Sequence, residues 1–329
     1  MALSKILPAG QDQFAGARNL IINGAMQVAQ RGTSFTSNNS VDYTLDRWGV
    51  FANGQITTTQ QTFTVGQTSV PNEPTNYVRW NVTSYSSGDN LYQKVEDVRT
   101  LAGQYATLSF YAKSDTNITT RPRFIQDFGS GGSSDVITTT DTADITTSWQ
   151  KFVITTAIPS ISGKTIGASN YLEIEILRVT DTFTGQIDLA QVQLEVGETA
   201  TPFEHRSFGD ELARCQRYYY FSGFGGDIHP GDSDAAAAVD YEGRVMAVHI
   251  GSNRHTFFGN FPVFLRAIPT LTFYSPHDGA SANAENYSGG GNVAISASYS
   301  RSRHGLNGYS QTSTSADTLT AYVEANAEL

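Results

Sequence analysis

The chain has 329 residues and a formal net charge of −10, and only 16% of its residues are charged, against about a quarter in ordinary globular domains. With 21 Lys and Arg against 31 Asp and Glu there is no basic surplus to neutralise phosphates, so nucleic acid is not an expected partner. The 16 Tyr and 18 Phe exclude a disordered composition, and a single cysteine, Cys215, excludes an intramolecular disulfide and agrees with assembly in a reducing cytoplasm.

Residues 1–18 mix small, polar and apolar types without a period and read as an N-terminal arm. They lack an apolar run of about 7–15 residues, so no signal peptide is expected. No stretch of the chain approaches the roughly 18 apolar residues of a membrane helix, so no membrane insertion is expected either.

From residue 19 to about 205 short alternating runs are broken by Gly, Asn, Asp and Ser clusters, the pattern of a β-sandwich. Val78, Trp80 and Val82 alternate with Tyr77, Arg79 and Asn81. Leu108, Phe110 and Ala112 alternate with Tyr111 and Lys113, and Leu172, Ile174 and Ile176 with Tyr171, Glu173 and Glu175. Ala190, Val192, Leu194 and Val196 alternate with Gln191 and Gln193, and Gly197 ends that strand.

A helix is predicted over Phe208–Tyr219, with Ser207 as N-cap, Asp210 and Glu211 in its first turn, and Phe208, Leu212, Cys215 and Tyr219 on one stripe. It links the sandwich to a smaller C-terminal β domain over 220–329. There, Val239–Ile250 reads as a hairpin around Glu242 and Gly243, and Phe261–Pro276 as two strands around Pro269. Further strands are predicted over Asn292–Ser300 and Thr318–Asn326, with a long loop between His277 and Gly291. The expected class is therefore all-β, divided into 1–18, 19–205, 206–219 and 220–329.

Several segments resemble known families. IDLAQVQLEVGETATPFEHR (Ile187–Arg206) followed by ELARCQRYY, with NLIINGAMQVAQRGTSF (Asn19–Phe35) and YTLDRW (Tyr43–Trp48), resembles a jelly-roll module of tailed-bacteriophage structural proteins. LYQKV (Leu91–Val95), LAGQYATLSFYAK (Leu101–Lys113), TSWQKF (Thr147–Phe152) and Ile187–Gly197 are similar to the carbohydrate-binding jelly roll appended to glycanases. The first resemblance implies a virion protein, expected as a homotrimeric tail fibre or receptor-binding protein docked to other virion proteins through the arm. The alternative it leaves open is a capsid decoration or head-fibre protein. The second implies sugar binding, and the acidic composition favours a neutral host glycan. The carbohydrate-binding family often holds a structural calcium; here Asn23-Gly24-Ala25-Met26 departs from its acidic opening, and Asp188 is the one ligand candidate left.

The alternation assigns Tyr77, Arg79, Asn81, Tyr111, Lys113, Tyr171, Glu173, Glu175, Gln191 and Gln193 to one outward face, where rings can cover sugar C–H surfaces and polar groups can reach hydroxyls. The bland alternative is a solvated face or a subunit interface. Trp48, Trp80 and Trp149 are expected in the core, with Asp46 and Arg47 as a local ion pair beside Trp48. Host contacts are expected from the loops around Asp227–Asp234 and around His277, Asp278, Asn283, Asn286 and Tyr287. Glu173 and Glu175 fall on one face roughly 7 Å apart, yet no nucleophile elbow, P-loop or H-E-x-x-H accompanies them. The reading is adhesion, without catalysis and without a cofactor.

Overall fold

Strands whose apolar side chains recur at every second residue bury one face each, and two such sheets are stable only when those faces meet. The computed structural model describes residues 18–224, 229–231, 243–251, 254–286, 291–312 and 318–329. The chain forms two compact units. Among the described residues, unit 1 holds 18–27, Ser34–Asp42 and Trp48–Arg206, and unit 2 holds Val28–Thr33, Tyr43–Arg47 and those from Ser207 onward.

Unit 1 is a jelly-roll β-sandwich. Its strands are β1 (Ser34–Tyr43), β2 (Gly49–Thr62), β3 (Asn76–Ser84), β4 (Asn90–Glu96), β5 (Tyr105–Ser114), β6 (Ile118–Thr120), β7 (Arg123–Asp127), β8 (Val136–Thr139), β9 (Ala143–Ile145), β10 (Gln150–Ala157), β11 (Tyr171–Arg178) and β12 (Gly185–Val196). The main sheet runs β10-β5-β12-β3-β2-β4-β11-β7-β8, with β1 also on β2 and β6 paired to β9 apart from it. Strand β2 belongs to two leaves. Residues 55–62 pair with β3, while Gly49–Phe51 pair with β4. Leaf A is therefore β10-β5-β12-β3 and leaf B is β4-β11-β7-β8. Val78, Trp80, Leu108, Phe110, Leu189 and Leu194 of leaf A are fully buried, as are Leu91, Phe124, Leu172 and Ile174 of leaf B. These form the core between the leaves.

Unit 2 is smaller and mostly β. It contains helix α1 (Phe208–Gln216) and strands β13 (Tyr219–Phe221), β14 (Val245–Gly251), β15 (Arg254–Asn260), β16 (Thr270–Tyr274), β17 (Asn283–Asn286), β18 (Asn292–Arg301), β19 (Gly305–Thr312) and β20 (Thr318–Asn326). The order is β13-β20-β14-β15-β19-β18-β17, with β16 also on β20. Leu271, Phe273, Phe257, Leu319, Ala321 and Val323 form its core.

The helix has its predicted cap, since the Ser207 hydroxyl accepts from the Asp210 amide at 3.1 Å. It ends three residues early and buries another stripe: Glu211 and Cys215 are buried, Phe208 is 48% exposed, and Tyr219 lies in β13. One strand assignment also differs. The first strand and the turn residue Glu242 of the hairpin expected around Glu242 and Gly243 lie outside the described residues; its second strand is β14, which pairs with β15 and β20. Of the two strands expected around Pro269 only β16 forms; the chain before it bends twice, and its amides reach scattered carbonyls, Phe261 to His304, Leu265 to Arg303 and Arg266 to Arg217, instead of running along one partner strand.

Asp46 and Arg47 do not pair with each other. Arg47 has φ 71°, and successive side chains at such a corner leave on different sides. The Arg47 guanidinium meets Glu328 and lies 3.5 Å from the Tyr218 ring centroid. Asp46 accepts from the amide and side chain of Gln30, both at 2.6 Å. Burial raises the Asp46 carboxyl above its usual range despite nearby Arg31.

Candidate functional site

The residues assigned to one outward face lie on two. Tyr77, Arg79, Asn81, Tyr111 and Lys113 point out of leaf A, whereas Tyr171, Glu173 and Glu175 point out of leaf B. In a sandwich these outward faces are separated by the core. Alternation fixes a residue's side of its own strand but carries nothing about which leaf that strand joins.

On leaf A, Asp188 sits opposite both Lys113 and Arg79. Arg79 donates to its two carboxylate oxygens at 2.7 and 2.9 Å, and the Lys113 ammonium lies 3.5 Å away. Arg79 and Lys113 thus already neutralise Asp188, the one weak calcium candidate the sequence offered. Trp149 is not in the core as Trp48 and Trp80 are. It is half-exposed, 5.3 Å from the Phe63 ring and 5.5 Å from the Tyr77 ring, with Phe63 and Tyr77 4.7 Å apart. This outer cluster anchors loop 63–75, which is closed by Phe63 N–H to Thr75 C=O at 2.9 Å and buries Val70 completely.

Gln191 and Gln193 are bracing groups. A β-bulge between Ala190 and Gln193 puts Gln191 at φ 48°, and its amide donates to the Pro71 carbonyl at 2.8 Å. Gln193 accepts from the Glu204 amide at 2.7 Å and donates to Glu195 at 2.8 Å.

Leaf B carries an open groove of 340 Å³ lined by Val41, Phe51, Gly88, Asn90, Tyr92, Lys94, Arg123, Ile125, Glu173 and Glu175. Its floor is two cross-strand rows. Tyr92, Glu175 and Arg123 form one row, and Lys94, Glu173 and Ile125 the next. Tyr92 lies against the bare backbone of Gly49, where a Cβ would come within 2.3 Å of the ring.

The two groove carboxyls differ in state. Glu175 is 2% exposed and held by Arg123 through two guanidinium nitrogens, Nε and Nη2, with Asn90 donating at 3.1 Å and the Arg178 guanidinium as a further ion-pair partner at 3.5 Å. Glu173 has no hydrogen bond or ion pair among the described residues. Burial raises its pKa to about 7, against the pull of Lys94 and with a further push from Glu175. Glu173 is thus the carboxyl left to meet a ligand, and burial leaves it partly protonated near neutral pH. Tyr171 flanks it, with its ring 4.2 Å from the Lys94 ammonium; burial and a hydrogen bond to Asp127 raise its phenol well above the usual value.

Sequence reasoning named Tyr171, Glu173 and Glu175 but missed Tyr92, Lys94, Arg123, Asn90 and Phe51. The alternation of Tyr92 and Lys94 with Leu91, Gln93 and Val95 was the available signal. In unit 2, Asn283 and Asn286 belong to strand β17, paired to Ala294 and Leu319, rather than to a loop. Asp278 is tied down by the Asn292 amide at 2.6 Å, and the His277 amide donates to the Ser275 hydroxyl at 3.2 Å. Tyr287, Asp227, Asp232 and Asp234 lie outside the described residues. No group of three or more His, Cys, Asp and Glu placed to hold a metal occurs among the described residues, and none of their helices is long and apolar enough to cross a membrane.

No family model and no curated protein matches the chain. Among solved structures it is similar to the enzymatically active domain of bacteriophage CBA120 tailspike protein 4, at 17% identity over 54% of this chain and a TM-score of 0.34; the chain spans 21% of that protein's length. It is also similar to the CBM22-1 xylan-binding domain from Paenibacillus barcinonensis, at 12% identity over 56% of this chain and 99% of that one, TM-score 0.35. A Stig cyclase from Fischerella matches at 10% identity over 56% and 98% of the two chains, TM-score 0.37.

Proposed function

We propose that unit 1 binds neutral saccharides in the leaf B groove and that the chain works by adhesion, without turning its ligand over. The carrying observation is the groove itself. Phe51 offers ring surface above a floor that includes the nearly fully buried Tyr92, while Glu173, Lys94, Asn90 and Arg123 offer hydrogen-bonding groups along two cross-strand rows. Sugars need this combination, because each pyranose has an apolar C–H face and a rim of hydroxyls. Hydrolysis is not the favoured use, since Glu175 is already committed to Arg123 and Asn90 and a glycosidase needs a second free carboxylate.

The setting we propose is a tailed-phage particle, with the chain as a homotrimeric tail fibre or receptor-binding protein attached through residues 1–18. Support comes from the phage-like segments Asn19–Phe35 and Ile187–Arg206. Three weak sites on one rigid trimer would raise avidity through effective concentration. Glycan-array binding by the purified chain tests the core of the proposal. Retention of neutral glycans by wild type and their loss in Lys94→Ala and Glu173→Ala is the expected result; a blank array ends the reading. Immunogold labelling of particles tests the setting, and label over the capsid would make the chain a decoration protein.

A further inference from the structure

A second cleft, of 290 Å³, lies on the outside of leaf A. We propose that it is an independent saccharide site taking a single neutral sugar ring. It is separated from the leaf B groove by the sandwich core and shares no residue with it.

Both walls of the cleft are held in place by side chains of β12. The first wall is Pro71 and Asn72, held where the Gln191 amide donates to the Pro71 carbonyl at 2.8 Å. The second is Ala200–Phe203. It is held by Thr201 donating to Glu195 at 2.5 Å, by Gln193 donating to the Thr201 hydroxyl and the Pro202 carbonyl at 3.2 and 3.3 Å, and by the Glu204 amide donating back to Gln193. Gln191, Gln193 and Glu195 thus fix two loops that approach from opposite directions. A binding site positioned in this way needs little ordering when a ligand arrives.

The lining suits a sugar. The rings of Tyr111 and Phe203, both half-exposed, and the flat faces of Pro71 and Pro202 supply apolar surface. Ser109, Thr201 and Asn72 supply hydroxyl and amide groups. The Gln191 side-chain oxygen is buried and accepts no hydrogen bond, an unmet acceptor at the base of the cleft. Lys151 is the one charged lining residue, and it is exposed. A lone exposed ammonium does little to offset the desolvation of an anion, so the ligand is neutral. The volume falls at the small end of ligand pockets, about 300–1,000 Å³, enough for one ring rather than a chain.

The test is an amide-resolved NMR titration of the full chain with glucose, galactose, mannose and N-acetylglucosamine in turn. The expected result is saturable shifts at Ser109, Gln191, Thr201 and Phe203 with at least one of the four. They should vanish in Tyr111→Ala and persist in Glu173→Gln, which alters only the leaf B groove. Should Tyr111→Ala fail to fold, Asn72→Ala serves instead and lowers affinity about fivefold, the value of one hydrogen bond. Absence of shifts at these amides with all four sugars, or wild-type affinity in the variant used, would overturn the proposal. Neither result bears on the leaf B groove, whose amides report separately in the same spectra.

Discussion

Arg123 of β7 and Glu175 of β11 face each other across an antiparallel ladder, and the guanidinium engages both carboxylate oxygens of a residue that is 2% exposed. The pair fixes the middle of the leaf B groove. It also leaves neighbouring Glu173 as the groove's unengaged carboxyl, a division of roles between two residues of the same type one strand repeat apart.

Removing one partner should be costly. Arg123→Met leaves Glu175 buried with Asn90 and Arg178, so urea unfolding is expected to show a loss of about 2–4 kcal/mol. Adding Glu175→Gln to that variant should recover part of the loss, because the buried charge is gone. Equal stability of Arg123→Met and wild type would show that the pair holds nothing in place.

Glu173 should titrate near neutrality. Its folded pKa of about 7 lies above the ordinary glutamate value, so the folded state holds this proton more tightly than the unfolded chain. The contribution is fully present below the unfolded pKa and is lost as pH rises through about 7. A shift of this size corresponds to roughly 3 kcal/mol. Carbon-detected NMR of the carboxyl reads the pKa directly, and Glu173→Gln should remove this part of the pH dependence of unfolding. A carboxyl titrating below pH 5 would refute the prediction.

Gly49 should not tolerate a side chain. Alanine there would place its Cβ 2.3 Å from the Tyr92 ring, forcing the ring up into the groove. The expected outcome is a stability loss of about 1–3 kcal/mol, together with weakened glycan binding. Chemical shifts of the Tyr92 ring report the displacement, and an unmoved ring with unchanged binding would contradict it.

Calcium should leave unit 1 unaffected. Arg79 and Lys113 already neutralise Asp188, so thermal melts with calcium and with chelator are expected to coincide. Asp188→Ala should destabilise the fold, because two cations are then left facing each other on leaf A. A melting temperature that rises with calcium would contradict this prediction.

Much of the fold was legible from local pattern. The alternation of Val78, Trp80 and Val82 and of Leu172, Ile174 and Ile176 identified β3 and β11 and their buried sides, and Ser207 marked the start of α1. The candidate site was legible in part. Tyr171, Glu173 and Glu175 were named, but Arg123 comes from β7 and Tyr92 from β4, and nothing local joins those strands to β11. Trp149 misled because its neighbours are polar, so its phase could not be read from them; its ring partners Phe63 and Tyr77 lie far away in sequence.

The sequence by itself determined the all-β class, the inward side of each strongly alternating strand and the helix cap, since these depend on neighbours within a few residues. Tertiary structure alone decided that Tyr77 and Tyr171 lie on opposite leaves, that Asp188 is paired with arginine and lysine, and that Arg47 meets Glu328, 281 positions away. The physical reason is the range of the information. A period of two records which side of a strand is apolar, whereas the partner across a ladder is chosen by how the whole chain closes its core.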